Sequence, residues 1–127
     1  MPIINIFGLS NCLLNHPKSV REIICRKIAT AAASIPELKI EERHCSINFV
    51  SCIQGGSDGK VTIFVVGLFD KPERTVEVRR RLAQKLRSTI SEEKRLWPIE
   101  LIECFVKRFD PRRDGFASTD PDFIEPE

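Results

Sequence analysis

The chain repeats one strand-helix-strand pattern twice, and this duplication limits its fold more than any other feature. Apolar runs alternate with segments of helical spacing, and a glycine-rich stretch at 55–59 predicts a turn between the halves. The predicted strands and helices are, in chain order, 2–9, 19–35, a strand within 43–53, then 61–69, about 72–90 and 99–106. At a constant offset of 55 positions the halves align in matched pairs, among them Pro17 and Pro72, Glu22 and Glu77, Arg26 and Arg81, and Ile35 and Ile90.

Both predicted helices have start signals. In the first, Pro17 precedes Ser19, and Glu22 follows three residues later, which is the spacing of a capping box. In the second, Asp70 and Glu73 flank a proline. These signals place each helix between two strands of its own half.

Two such units, of about 2–53 and 60–106, predict an α/β fold. The two β-α-β repeats form a four-stranded mixed sheet with both helices on one face. Strands three and four are apolar on both sides, as expected for strands that are buried on two faces. The chain contains no third layer, so another subunit is expected to cover the second face.

The chain of 127 residues fits a single domain, predicted over 1–108. Residues 109–127 are rich in proline and acidic residues and predict an extended arm that Phe116 and Phe123 could anchor. The division at 108 follows from this change in composition.

Charge and cysteine content exclude several classes of protein. The formal net charge is only +2, which argues against nucleic-acid or membrane partners, and no run of about 18 apolar residues suggests a membrane span. The five cysteines form no C-x-x-C pair, so they are expected to be free thiols without a metal. These features, with no targeting segment recognised, predict a cytoplasmic protein.

A proline directly after Met1 opens the first strand, and several short stretches carry a resemblance to a known family. They are Pro2–Ile6, Gln54–Gly56 before strand three and Gly67–Phe69 at its end. Over 2–106 the chain resembles the tautomerase superfamily, which includes 4-oxalocrotonate tautomerase, macrophage migration inhibitory factor and 5-carboxymethyl-2-hydroxymuconate isomerase. The ending Arg108–Phe116 looks more like a small uncharacterised bacterial branch.

The resemblance implies a trimeric, barrel-like assembly and a cofactor-independent isomerase in which Pro2, freed of Met1, acts as a general base. The substrate would be a small carboxylate, a 2-oxo or 2-hydroxy acid, which family members often hold with an arginine from strand two. Arg43 lies near that place, and Lys39 resembles in position a lysine of the cytokine-like branch. At strand four Glu103 lies near the place where relatives carry an asparagine or tyrosine.

Two hypotheses of different kinds follow. The first is a tautomerase that transfers a proton between carbon and oxygen, or between two carbons, through Pro2. The alternative is a non-enzymatic trimer that keeps the tautomerase fold for partner binding, favoured by the missing polar assistant on strand four and the unusual tail. Basic residues of the second helix suggest nucleic-acid binding, but they spread over more than one face and have no interleaved aromatics.

Overall fold

The structure is a computed structural model, and it describes residues 2–9, 13, 16–50, 59–96, 99–111 and 113–119. Its strands and long helices are β1 Ile3–Phe7, α1 Lys18–Ala33, β2 Ser46–Val50, β3 Lys60–Phe69, α2 Val76–Ser91 and β4 Leu101–Phe109. The predicted glycine turn at 55–59 lies outside the described residues except for Gly59.

The four strands form one mixed sheet in the order β2-β1-β3-β4. Within each half the two strands are parallel, with Ile4 opposite Ile47 in the first and Ile63 opposite Cys104 in the second. The halves join through antiparallel β1 and β3, where Ile4 faces Val65. The predicted pair of β-α-β units in a four-stranded mixed sheet is confirmed.

A single apolar core lies between the sheet and the two helices. Alternate strand residues such as Ile4 and Ile63 are 1% exposed, and they pack in one cluster with Ile28 of α1 and Leu86 of α2. Because side chains alternate between the faces of a strand, this places both helices on one face of the sheet.

The opposite face of the sheet carries exposed apolar residues. The large ones are Ile3, Phe64, Leu101 and Phe105, at 38%, 39%, 44% and 50% exposure. Aromatic contacts cross three strands here, since the Phe64 ring centroid lies 5.7 Å from that of Phe7 and 5.2 Å from that of Phe105. We call this surface, defined by the residues named in this paragraph, the open sheet face.

The helix starts differ from the prediction. The cap of α1 is Pro17, with no hydrogen bond from a side chain, so the predicted capping box of Ser19 and Glu22 is wrong. Ser19 is already the second residue of the helix, so its side chain does not occupy the capping position. At α2 the cap is Thr75, whose hydroxyl accepts the Val78 amide at 3.3 Å.

A β-bulge interrupts the pairing of β3 and β4 between Val65 and Leu68. Gly67 lies within it with a φ of 74°, a conformation that costs a residue with a Cβ far more than glycine. After the bulge Leu68 is buried in the core, and Phe69 is half-buried. The bulge therefore bends the end of β3 beside the start of β1.

The last strand is longer than predicted. β4 runs to Phe109, because Leu68 and Phe69 continue to pair with Arg108 and Phe109 beyond the bulge. The division of the chain at 108 stays a prediction. Among the described residues, no helix has the length and apolar character needed to cross a membrane.

Candidate active site

A cavity of about 230 Å³ opens at the start of β1, next to the β3 bulge. Its walls come from the start of β1, the connection before β2, the end of β3 and the loop before α2. The lining residues are Pro2, Lys39, Ile40, His44, Gly67, Leu68, Phe69, Lys71 and Arg74. Three of them are cations and none is an acid, so the cavity favours an anionic ligand.

Pro2 is buried at the floor of this cavity. Its carbonyl accepts a hydrogen bond from the Ser46 amide at 3.1 Å, and the strand that follows is paired on both edges. The backbone of Pro2 is therefore positioned by hydrogen bonding within the sheet.

Arg74 is the most buried cation of the cavity, with only 7% of the residue exposed. One terminal nitrogen donates to the Phe69 carbonyl at 2.8 Å and the other to the Leu38 carbonyl at 2.7 Å, while the buried Nε has no partner. Burial lowers the pKa of Arg74 from its ordinary value, and the nearby Glu73 carboxylate opposes this. Neither carbonyl neutralises the charge, so a bound anion would relieve the cost of burying it.

Lys39 enters the cavity from a short helical turn, Pro36–Leu38. It caps that turn with a φ of 52°, the left-handed conformation, which redirects the chain toward β2. Its side chain is 72% exposed, and Nζ lies 4.0 Å from a carboxylate oxygen of Glu73. Lys39 is therefore an exposed cation of the cavity, in contrast to Arg74, whose guanidinium is held by two carbonyls.

His44 lies in a second short turn, Glu42–His44, directly before β2. Its Nδ1 accepts the Glu41 amide at 3.0 Å, so the neutral ring carries its proton on Nε2. His44 lies before the strand, which starts at Ser46, within the predicted range 43–53. The turn brings a neutral N–H donor to the cavity.

Phe69 is the aromatic residue in the wall of the cavity. Its ring lies 5.7 Å from that of Phe109 and 5.0 Å, edge to face, from that of Phe116. Phe109 and Phe116 also contact each other at 5.8 Å. The described part of the arm, 113–119, is thus joined to the cavity through one ring.

The fold is shared with several solved structures of low sequence identity. N1, a member of the cis-3-chloroacrylic acid dehalogenase family, is 15% identical, with a TM-score of 0.67 over 98% of this chain and 84% of that one. A fused 4-OT named Q0, a symmetric trimer, is 14% identical to this chain, with a TM-score of 0.62 over 91% of both chains. Macrophage migration inhibitory factor of Toxoplasma gondii is 14% identical, with a TM-score of 0.61 over 95% of this chain and 99% of that one.

This chain has the tautomerase fold. No family model matches the sequence, and no curated protein matches it either. The predicted resemblance to the superfamily is confirmed at the level of the fold, while the small bacterial branch stays a prediction.

Within the tautomerase fold Arg43 is not among the residues that line the cavity, although its chain neighbour His44 is. Its side chain is 77% exposed and pairs with Glu41. The hydrogen bond and charge of Arg43 hold the pKa of the Glu41 carboxyl below its ordinary value. Its role in carboxylate binding stays a prediction.

Sequence reasoning missed His44, Lys71 and Arg74 as residues of this site. Lys71 and Arg74 belong to a loop that reads as a helix start, and Arg74 is one of many basic residues in that region. No local signal in the sequence distinguishes Arg74 from those other basic residues. Two strand phenylalanines, Phe7 and Phe105, lie on the open sheet face and do not line the cavity.

Glu103, the candidate for the polar position on strand four, is exposed on β4. It does not line the cavity beside Pro2. Among the described residues, no group of three or more histidines, cysteines and acids could hold a metal ion.

Proposed function

We propose that this protein is a cofactor-independent tautomerase that uses Pro2, after removal of Met1, as a general base on a small 2-oxo or 2-hydroxy acid. The observation that carries the proposal is the burial of Pro2 in a cavity lined by Lys39, Lys71 and Arg74. A base beside three cations is suited to taking a proton from a carbon acid that carries a carboxylate.

The chemistry of Pro2 depends on its nitrogen. Once Met1 is removed, the nitrogen is a secondary amine, and an ordinary terminal amine has a pKa near 8. Burial and neighbouring cations both disfavour the protonated form, which supports a neutral base at pH 7. The amine takes a proton from the carbon next to the carbonyl, and the same proton returns to oxygen or to another carbon. The ring fixes the direction of the lone pair, so little orientation is lost on reaching the transition state.

Arg74 is the best candidate for binding the carboxylate of the substrate. Its charge is buried and its guanidinium is held by two backbone carbonyls, so it needs no reorganisation when the anion arrives. Lys39 and Lys71 add charge at the mouth of the cavity, where they steer the anion inward.

His44 donates a hydrogen bond to the oxygen of the enolate that forms when the proton leaves carbon. Its Nε2–H is a neutral donor of fixed tautomer, because the Glu41 amide occupies Nδ1. A donor that faces the developing oxygen charge stabilises the transition state more than the ground state.

The test begins with an intact mass that reports whether Met1 is absent. Ketonisation of phenylenolpyruvate and of 2-hydroxymuconate is then followed by ultraviolet absorbance in wild type, Pro2→Ala and Pro17→Ala. General base catalysis contributes roughly 100-fold or more, so kcat/KM of Pro2→Ala should fall by at least that factor, with Pro17→Ala as the matched control. Full activity in Pro2→Ala would refute the role of the amine.

The same assay distinguishes Arg74 from Arg43 as the residue that binds the carboxylate. Arg74→Gln should raise KM about tenfold or more, because it removes one charged hydrogen bond to the substrate in a dry site. Arg43→Gln tests the residue that the sequence predicted for carboxylate binding. If the Arg43 variant loses activity and the Arg74 variant keeps it, the carboxylate is bound from the Arg43 side.

A homotrimer is part of the proposal. The open sheet face, with Phe105 at 50% exposure beside Phe64 at 39%, is an apolar surface of the kind that subunits bury. The structure of the fused 4-OT named Q0 is a symmetric trimer, which supports the same assembly for this chain. Cytoplasmic location and the absence of nucleic-acid partners remain predictions from composition.

The second candidate function is a trimer of this fold that binds a partner without catalysis. It is favoured by Glu103, which puts an exposed carboxylate on β4 and leaves the Pro2 cavity without a polar residue from that strand. Correctly processed protein that forms trimers and lacks activity on both substrates would favour this candidate.

A further inference from the structure

The described part of the arm returns to the end of the sheet through a tight turn. After β4, the Asp114 amide donates to the Asp110 carbonyl at 2.8 Å, and the Asp110 amide donates to the Asp114 carboxylate at 3.2 Å. Phe116 then lies against Phe69 and Phe109, the last residues of β3 and β4. The turn therefore places an aromatic ring of the arm on the paired ends of two strands.

Phe69, Phe109 and Phe116 form a cluster of three rings. Phe69 and Phe109 are partners in the sheet, and their ring centroids are 5.7 Å apart. Phe116 meets the Phe69 ring edge to face at 5.0 Å and the Phe109 ring at 5.8 Å. Edge-to-face contacts are favourable, because the positive edge of one ring meets the negative face of the other. Phe69 therefore depends on the arm for one of its two ring contacts in this cluster.

The end of β3 beyond the bulge is held by few backbone pairs. The bulge interrupts the pairing with β4 between Val65 and Leu68, and beyond it only Leu68 and Phe69 are paired. One further bond follows, from the Asp70 amide to the Phe109 carbonyl at 2.7 Å. On the other edge, the pairing with β1 does not reach Phe69. A strand end beyond a bulge is separated from the regular ladder, so the packing of its side chains contributes to its order.

The Phe69 carbonyl is one of two acceptors that orient the guanidinium of Arg74. One terminal nitrogen donates to it at 2.8 Å, and the other donates to the Leu38 carbonyl at 2.7 Å. Leu38 is fully buried in the core, whereas Phe69 is half-buried at the strand end. A shift of Phe69 would therefore leave the guanidinium held at one terminal nitrogen, free to turn about the Leu38 carbonyl.

We infer that Phe116 is a positioning residue for Arg74: by packing against Phe69, the arm fixes the carbonyl that holds the guanidinium in the wall of the Pro2 cavity. Phe116 is not among the described residues that line this cavity, so its effect passes through Phe69. The inference rests on the proposed function for its effect on substrate binding. The link from the arm to Arg74 is a property of the folded chain, so it is testable without turnover.

The first experiment measures hydrogen exchange of the Arg74 Nε–H by NMR in the full chain. This N–H is buried, so it should exchange slowly with water, and the loss of its signal in Arg74→Lys identifies it. Exchange should be about tenfold faster or more in Phe116→Ala, and close to wild type in Phe116→Tyr, which keeps the ring. Thr119→Ala is the matched control, since it changes an exposed residue of the same arm and keeps all three rings. Equal exchange in wild type and Phe116→Ala would overturn the inference.

The second experiment separates substrate binding from chemistry. With phenylenolpyruvate, KM of Phe116→Ala should rise about threefold or more, as expected for lost aromatic contacts, while kcat stays within about twofold of wild type. In the Arg74→Gln background the same substitution should leave KM unchanged, because the guanidinium that the arm positions is gone. An equal rise of KM in both backgrounds would show that the effect does not pass through Arg74, and would also overturn the inference.

The two experiments distinguish failure of this inference from failure of the proposed function. A wild type that is inactive on the tautomerase substrates would count against the proposed function, and the exchange of the Arg74 Nε–H would still decide whether the arm positions Arg74. An active wild type whose Arg74 exchange is the same with and without the Phe116 ring would leave the proposed tautomerase standing and refute the role of the arm.

Discussion

Burial determines the reactivity of the described cysteine side chains in this protein, because it raises the pKa of their thiols. Cys104 lies on the core side of β4, and burial raises its pKa to about 12, so it is a thiol throughout the neutral range. Cys25 and Cys45 are also free, with pKa values raised chiefly by burial. Cys12 and Cys52 lie outside the described residues.

Cys104 should resist alkylation in the native protein. Treatment with iodoacetamide at pH 8, followed by peptide mass spectrometry, should leave Cys104 unmodified in buffer and modified in 6 M guanidinium, because the thiolate is the reactive form. Rapid labelling of Cys104 in native protein would contradict its burial.

A buried carboxylate makes stability depend on pH. Glu93 is 7% exposed on its side chain, and Lys27 donates to it at 2.8 Å from α1. This hydrogen bond holds the pKa of Glu93 below its ordinary value, and Arg95 adds to the effect. The stabilisation is therefore present above the ordinary carboxyl pKa of about 4.3 and is lost as the pH falls through the lower native value.

Glu93→Gln should lower the free energy of unfolding by about 1 kcal/mol at pH 7, a value reduced because Lys27 is half exposed. Urea unfolding of both proteins at pH 7 and at pH 3 checks it, and the difference should shrink at the lower pH. Glu92→Gln is the control, since Glu92 is an exposed neighbour. An equal loss of stability at both pH values would argue against the ion pair.

At the scale of helices and strands, the duplicated pattern predicted the order, type and sheet arrangement of the elements because their apolar periodicity is long and regular. Helix caps were harder to predict, since several residues near each start can satisfy the first amides. Pro17 and Thr75 are the caps that the structure has, in place of the Ser19 and Asp70 signals.

The observed cap Thr75 and the predicted cap Ser19 should respond differently to substitution by alanine. Thr75→Ala removes the acceptor of the Val78 amide and should lower the free energy of unfolding by about 1 kcal/mol. Ser19→Ala should have almost no effect or a slight stabilising one, because alanine is the better helix former. Chemical denaturation of the two variants decides between the observed and the predicted caps.

The described part of the arm contacts the end of the sheet through the ring of Phe116. Phe116→Ala removes the contacts with Phe69 and Phe109, each worth about 1 kcal/mol, and should speed proteolysis between 110 and 119. Phe116→Tyr keeps the ring and should restore protection. Because Phe69 lines the Pro2 cavity, KM in the proposed reaction should rise a few-fold in the alanine variant only.

For the whole molecule, the sequence predicted that the sheet would need a cover, and the open sheet face has the apolar side chains that such a cover requires. Phe105→Asp should therefore convert the proposed trimer to monomers in light scattering after size exclusion. Val76→Asp, at an exposed apolar position on the helix side, should leave the assembly unchanged. A trimer that survives Phe105→Asp would refute this face as the interface.

The residues of the site were the least predictable part of the molecule. Pro2 and Lys39 were predicted from position and resemblance, and both line the cavity. His44 and Arg74 come from two connections about 30 residues apart. They meet because β1 and β3 are antiparallel, which puts the end of the first crossover, before β2, and the beginning of the second, after β3, at the same end of the sheet. No local sequence pattern predicts that these two connections lie close together.

The position of β1 inside the sheet also bears on how the protein is made. β1 is the first strand to be synthesised, yet its two partners, β2 and β3, end at Val50 and Phe69. More than half of the chain must leave the ribosome before Pro2 and the strand after it are enclosed on both edges. The proposed removal of Met1 would precede this pairing, because Pro2 is buried in the folded chain.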